Sequence, residues 1–215
     1  MASVQFPCVR KLVGFVLLLA LIDLSILAAQ SETNLTTCAD ESSPTRILAC
    51  TSKIDDALSS DFTKGTAHYY RGNAYLQAGR LEEARNDFDK AIELRPDLAL
   101  AHLNRGIVFA QLKMFDLALK DLGEALNIEP LNAELYYNRG IMHSQIDQLP
   151  EAITDYTESL RLKPNQWVVY SYRAEAFRRI GNIEASITDF QTALKFNPTD
   201  KQSLQRLESL NALRR

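Results

Sequence analysis

From residue 65 to residue 200 the apolar and polar positions of the chain repeat at one fixed step, that from Phe88 to Leu122. Phe88, Leu122, Tyr156 and Phe190 form a column of large apolar residues. Ala84, Ala118, Ala152 and Ser186 form a small column four residues earlier, and Ala91, Ala125, Ser159 and Ala193 another three residues later. Spacings of three and four put these positions on one face of a helix. A second small column, Gly72, Gly106, Gly140 and Ala174, precedes the large one at a constant interval and belongs to an earlier helix. Small residues at facing positions let two helices approach while the large side chain fills the gap beside them.

Each unit therefore reads as two helices. In the first unit these are Gly65 to Ala78 and Leu81 to Leu94, with Gly79-Arg80 turning between them. Gly181-Asn182 makes the same turn in the last unit. Pro150 is placed at the first position of a second helix, where its missing N–H costs nothing. Pro96, Pro130, Pro164 and Pro198 keep the same step and close the units, because proline ends a helix and redirects the chain.

A 34-residue period with Gly and an aromatic in the first helix, then Ala, an aromatic, Ala and Pro in the second, resembles the tetratricopeptide repeat. The units are 65–98, 99–132, 133–166 and 167–200. His143 replaces the usual first-helix aromatic in the third unit, and Ala174 replaces Gly in the fourth. The resemblance implies an all-α, right-handed α-solenoid of four tandem helix-turn-helix units. Residues 201–215 would cap it with a helix started by Thr199 or Asp200, its apolar stripe being Leu204, Leu207, Leu210 and Leu213. Residues 32–64 read as a degenerate half-repeat, with a helix from Ser43-Pro44 to about Leu58 that puts Ile47, Cys50 and Ile54 on one face.

The resemblance also locates a binding groove on the first helices. Carried onto this chain, its lining includes Tyr69, Asn73 and Leu76, then Leu100, Leu103 and Ile107. The third unit supplies Glu134, Tyr137 and Ile141, and the fourth Glu175, Arg178 and Arg179. An apolar, aromatic middle with a charged end suits an extended or helical peptide with apolar anchors. Some relatives clamp a carboxyl terminus with lysines and asparagines. Asn73 and Asn104 match the asparagines, but Tyr69 and Glu134 stand where lysines are needed, so that clamp is rejected here.

One charge pattern repeats with the fold. Arg71, Arg105, Arg139 and Arg173 each precede an Asp of the second helix by the same interval: Asp87, Asp121, Asp155 and Asp189. The arginines could form an anion-binding ladder. The preferred reading is a structural Arg–Asp pair in every unit, since a half-buried guanidinium needs a carboxylate.

The amino terminus has a different character. Arg10 and Lys11 precede an apolar run from Leu12 to Ile22, and small residues follow at Ala28, Ala29 and Ser31. Residues 1–31 read as an export signal, or as a retained anchor in which Asp23 is costly. Either way the rest of the chain is expected to be exported, periplasmic or secreted in a bacterium, with membrane contact only through this segment. Cys8 would be lost with it, leaving Cys38 and Cys50. In an oxidising compartment an even pair favours a disulfide, the alternative being two reduced buried thiols. A leading cysteine pair also resembles exported bacterial proteins of this repeat family. Asn34-Leu35-Thr36 is a glycosylation sequon, relevant only in a eukaryotic host.

Composition narrows the function further. With 46% hydrophobic and 24% charged residues the chain is an ordinary folding one, and a net charge of −3 offers no field for nucleic-acid phosphates. His68 and His102 share one repeat column and His143 the aromatic column, so packing accounts for all three. No phosphate loop, nucleophile elbow or paired-histidine metal motif is present, so neither catalysis, cofactor nor metal is expected. The expected function is a protein-interaction scaffold holding a protein or peptide. The alternative is a structural protein that associates with copies of itself.

Overall fold

The computed structural model describes residues 36–41 and 45–212. The expected export signal at residues 1–31, with Cys8, and Asn34 and Leu35 of the sequon, Ser43-Pro44 and Leu213 lie outside the described residues. Helices alone make up the regular structure of the described part. After a helical turn at residues 36–39, the elements are α1 (Arg46–Asp55), α2 (Asp61–Gln77), α3 (Leu81–Leu94), α4 (Ala99–Gln111) and α5 (Phe115–Ile128). They continue with α6 (Ala133–Gln145), α7 (Leu149–Leu162), α8 (Trp167–Arg179), α9 (Ile183–Phe196) and α10 (Lys201–Ala212).

Four antiparallel pairs, α2–α3, α4–α5, α6–α7 and α8–α9, stack in sequence, each touching chiefly its neighbours. That is the organisation of a solenoid, in which stability comes from the unit and its nearest interfaces. The aromatic column is the mortar. Phe88, Tyr156 and Phe190 are essentially inaccessible, as is Leu122. A Cβ on Gly72 would stand 2.8 Å from the Phe88 ring, and one on Gly140 only 2.6 Å from the Tyr156 ring. Where the smaller Leu122 replaces the aromatic, a Cβ on Gly106 would stand 3.5 Å from Leu122 and 3.3 Å from the Ala118 carbonyl oxygen.

The turn inside each unit takes one left-handed residue. Gly79 and Gly181 fill this place with φ of 71° and 80°. Lys113 and Asp147 occupy it in the middle units at 61° and 64°, with the strain that a side chain brings there.

Several local expectations are corrected. The first helix begins at Asp61, four residues before Gly65, because Ser60 caps it by accepting a hydrogen bond from the Thr63 amide. The helix of the half-repeat stops at Asp55 rather than near Leu58. There the Asp56 carboxylate accepts from the Leu58 amide and the Ser59 hydroxyl, which favours a turn over a further helical residue. Pro150 is the second residue of α7, after Leu149. In α10, Asp200 is the cap, accepting from the Ser203 amide. Its buried stripe runs through Ser203 and Leu210, while Leu204 is exposed. Ser203 bonds Ser171 across the junction at 3.0 Å.

At the other end a disulfide joins Cys38 to Cys50, both fully buried against Ala67. Arg46 ties the same corner together by donating to the Cys38 carbonyl and the Gln77 side chain.

Candidate functional site

Successive first helices approach one another: α2 meets α4 and α6 meets α8, more closely than successive second helices meet. The first helices thus line the inner, concave side and the second helices fan out along the convex side. Contacts across this inner wall link the units. Asn104 donates to Asn73 at 2.7 Å, and Tyr137 meets Tyr172 edge to face at 5.6 Å. Arg179 reaches back to the Ser144 carbonyl at 3.0 Å and to Asp147 at 2.7 Å.

The wall residues divide by burial. Tyr69 and Leu76 are half-buried against Phe88 and its neighbours, and burial raises the Tyr69 hydroxyl pKa. Leu100 and Glu134 face solvent. Ile107 and Ile141 are half-buried and rest on the core. Leu103 is the correction: at 3% exposure it packs with Ala99 and Leu122 and is unavailable to a ligand. Its neighbour one turn of the solenoid away, Tyr137, is half-buried, its hydroxyl pKa raised first by burial and then by Tyr172. The charged end is internally paired. Arg178 clasps Glu175 with two hydrogen bonds of 2.6 and 3.0 Å, and Arg206 of α10 lies 3.6 Å from the same carboxylate.

Beside Tyr137 a depression of about 860 Å³ opens, bordered by Pro130, Leu131, Glu134, Leu162 and Lys163. Leu131 is 75% exposed and Tyr172 is 42% exposed. Neither was among the expected wall positions. Leu131 lies on the loop between units, and Tyr172 occupies the sixth place of its helix, where the middle units carry Asn104 and Asn138. The exchange of Asn for Tyr at one repeated place was the available signal.

The Arg–Asp pairs are bidentate in every unit. Arg71 holds Asp87 at 2.8 and 2.8 Å, Arg105 holds Asp121 at 2.8 and 2.6 Å, and Arg139 holds Asp155 at 2.9 and 2.7 Å. Arg173 holds Asp189 at 2.7 and 2.9 Å. The histidines converge on the same carboxylates: His68 at 2.8 Å from Asp87, His102 at 3.6 Å from Asp121, and His143 at 3.7 Å from Asp155. Burial pushes Asp87 and Asp121 upward, but the arginine bonds, with His68 bonded to Asp87 and His102 close to Asp121, outweigh it and hold both below the usual carboxylate range. No cluster of metal-ligating side chains occurs among the described residues, and no described helix is long and apolar enough to cross a membrane.

Two family models match the sequence, one described as a TPR repeat over residues 72–113 and one as a tetratricopeptide repeat over residues 133–166. The fold is a tetratricopeptide-repeat solenoid. Solved structures of this kind superpose on it at low identity. YrrB, described as a TPR protein with an unusual peptide-binding site, shares 21% identity over 67% of this chain and 74% of its own, with a TM-score of 0.61. MamA from Desulfovibrio magneticus RS-1 shares 20% over 80% of this chain and 97% of its own, at 0.67. The first TPR of Spaghetti (RPAP3), bound to the HSP90 peptide SRMEEVD, shares 24% over 58% and 99%, at 0.55. At these identities the likeness is one of tetratricopeptide fold. A comparison with curated proteins returned no significant match.

Proposed function

We propose that the chain is a non-catalytic adaptor that holds a protein or peptide on the concave wall of its tetratricopeptide solenoid. The supporting observation is the solvent-facing Tyr172 packed on Tyr137, beside the depression edged by Leu131 and Leu162. Aromatic side chains with one wet edge are suited to anchor a partner, because they present large apolar area at little conformational cost. YrrB and the Spaghetti module, by their descriptions, bind peptides, and that use of the fold favours the same reading here. Because Glu175, Arg178 and Arg179 already satisfy one another or Asp147, the apolar middle is the stronger anchor and the charged end a rim.

The adaptor works outside the cytoplasm in this reading, directed there by residues 1–31 and stapled by the Cys38–Cys50 bridge. Capture of partners from the export compartment, identified by mass spectrometry, tests the proposal with wild type beside a Tyr137→Lys, Tyr172→Lys variant checked for helicity. Loss of the same partners from the variant is the expected result. Partners held equally by both proteins would overturn the site. Light scattering of the wild type across concentration distinguishes a hetero-partner from a second copy, since the monomer mass at every concentration rules out self-association.

A further inference from the structure

The four Arg–Asp pairs are not equivalent on their outer edge. Each arginine uses Nε and Nη2 on the aspartate of its own unit and leaves Nη1 for the second helix of the preceding unit. Arg71 gives Nη1 to Thr51 at 2.9 Å, Arg105 to the Asp89 carboxylate at 2.7 Å, and Arg173 to Thr157 at 3.0 Å. Arg139 has no such partner among the described residues. The place that holds Asp89 in the first unit and Thr157 in the third is Gly123 in the second, and nothing stands within 4 Å of a Cβ built there. The Arg139 side chain is accordingly 29% exposed, against 18%, 20% and 17% for the other three. Lys120, one turn before Gly123 on α5 and on the same helical face, is exposed and forms no ion pair among the described residues.

We infer that this notch on the convex side, between α5 and α7, is a binding site for a carboxylate from an acidic segment of a partner protein. The carboxylate would take the position that Asp89 occupies one unit earlier, accepting from Arg139 Nη1 and facing Lys120. The geometry favours a carboxylate because the same guanidinium edge binds one in the sister unit at 2.7 Å. The site is separate from the concave wall, on the opposite side of the first helices, so partners could be held on both faces.

Nitrogen-15 NMR of the full chain, titrated with a hexaglutamate peptide at constant ionic strength, tests the notch. A saturable shift of the Gly123 amide and the Arg139 Nε–H is expected, with no comparable shift at Arg71, Arg105 or Arg173. Gly123→Asp places an internal carboxylate in the notch and should weaken the response at least about tenfold, the loss of one charge-assisted bond. Gly123→Ala leaves Nη1 unpaired and should retain the response, which separates occupation of the notch from a change in the helix. A response that survives Gly123→Asp, or none in the wild type, overturns the site. Saturation by inorganic phosphate without hexaglutamate overturns the carboxylate assignment.

Discussion

Asp87 receives two hydrogen bonds from Arg71, both 2.8 Å, and lies 2.8 Å from Nδ1 of His68. The carboxylate is almost wholly out of solvent, and these bonds are what keep it ionised there. Because its folded pKa is depressed, the unfolded chain binds the proton more readily at acid pH. Its contribution to stability is therefore fully present above the ordinary aspartate value of about 3.9 and declines as pH falls below it, through the folded pKa. Asp121 follows the same rule. Thermal unfolding followed by circular dichroism should show the melting temperature falling steeply below about pH 4. Asp87→Ala should cost about 3 kcal/mol at neutral pH, by stranding the Arg71 guanidinium, and should flatten that acid limb.

The ring of Tyr156 lies where a side chain on Gly140 would be. Alanine gains helix propensity, but at this place it must displace a fully buried ring, an overpacking cost of roughly 1–3 kcal/mol. Gly140→Ala is expected to lower stability more than Gly106→Ala, whose Cβ would meet Leu122 at 3.5 Å and the Ala118 carbonyl oxygen at 3.3 Å rather than a ring at 2.6 Å. Urea unfolding of the two variants side by side checks the contrast.

Left-handed backbone at Lys113 and Asp147 is a cost that the outer units avoid with glycine. Lys113→Gly should raise stability by up to about 1 kcal/mol, the relief of the strained φ exceeding the added freedom of the unfolded chain. A lowered urea midpoint for this variant would contradict the account.

The Cys38–Cys50 bridge closes a short loop, 12 residues in separation, over the start of the solenoid. Chain-entropy reasoning assigns such a closure about 3 kcal/mol. Cys50→Ser, or treatment with a thiol reductant, should loosen α1 first. Hydrogen exchange should quicken in α1 and the start of α2 while α6 to α9 stay protected, because stacked units respond to their neighbours.

Much of the fold was legible in the chain because repeated units interact with their nearest neighbours, so a single period encodes packing throughout. The aromatic, small and proline columns specify helix pairs without long-range information, and the Arg and Asp columns already stood at a fixed interval from each other. Caps were harder to read. Ser60 and Asp56 moved helix ends by a few residues, through single side-chain hydrogen bonds that compete with the helical pattern.

What the chain determined by itself, then, is the helix pair, its number of copies and the large-against-small seam inside each one. The tertiary structure alone decided which wall positions meet solvent. Leu103 and Tyr137 share one column, yet one is core and the other is half-buried against Tyr172. The convergence of three histidines from two columns onto the aspartates, and the open edge of Arg139 above Gly123, likewise arise between helices. The reason is physical: a period states which residues are equivalent, whereas exposure depends on which side chain of the adjacent helix fills the space beside each copy.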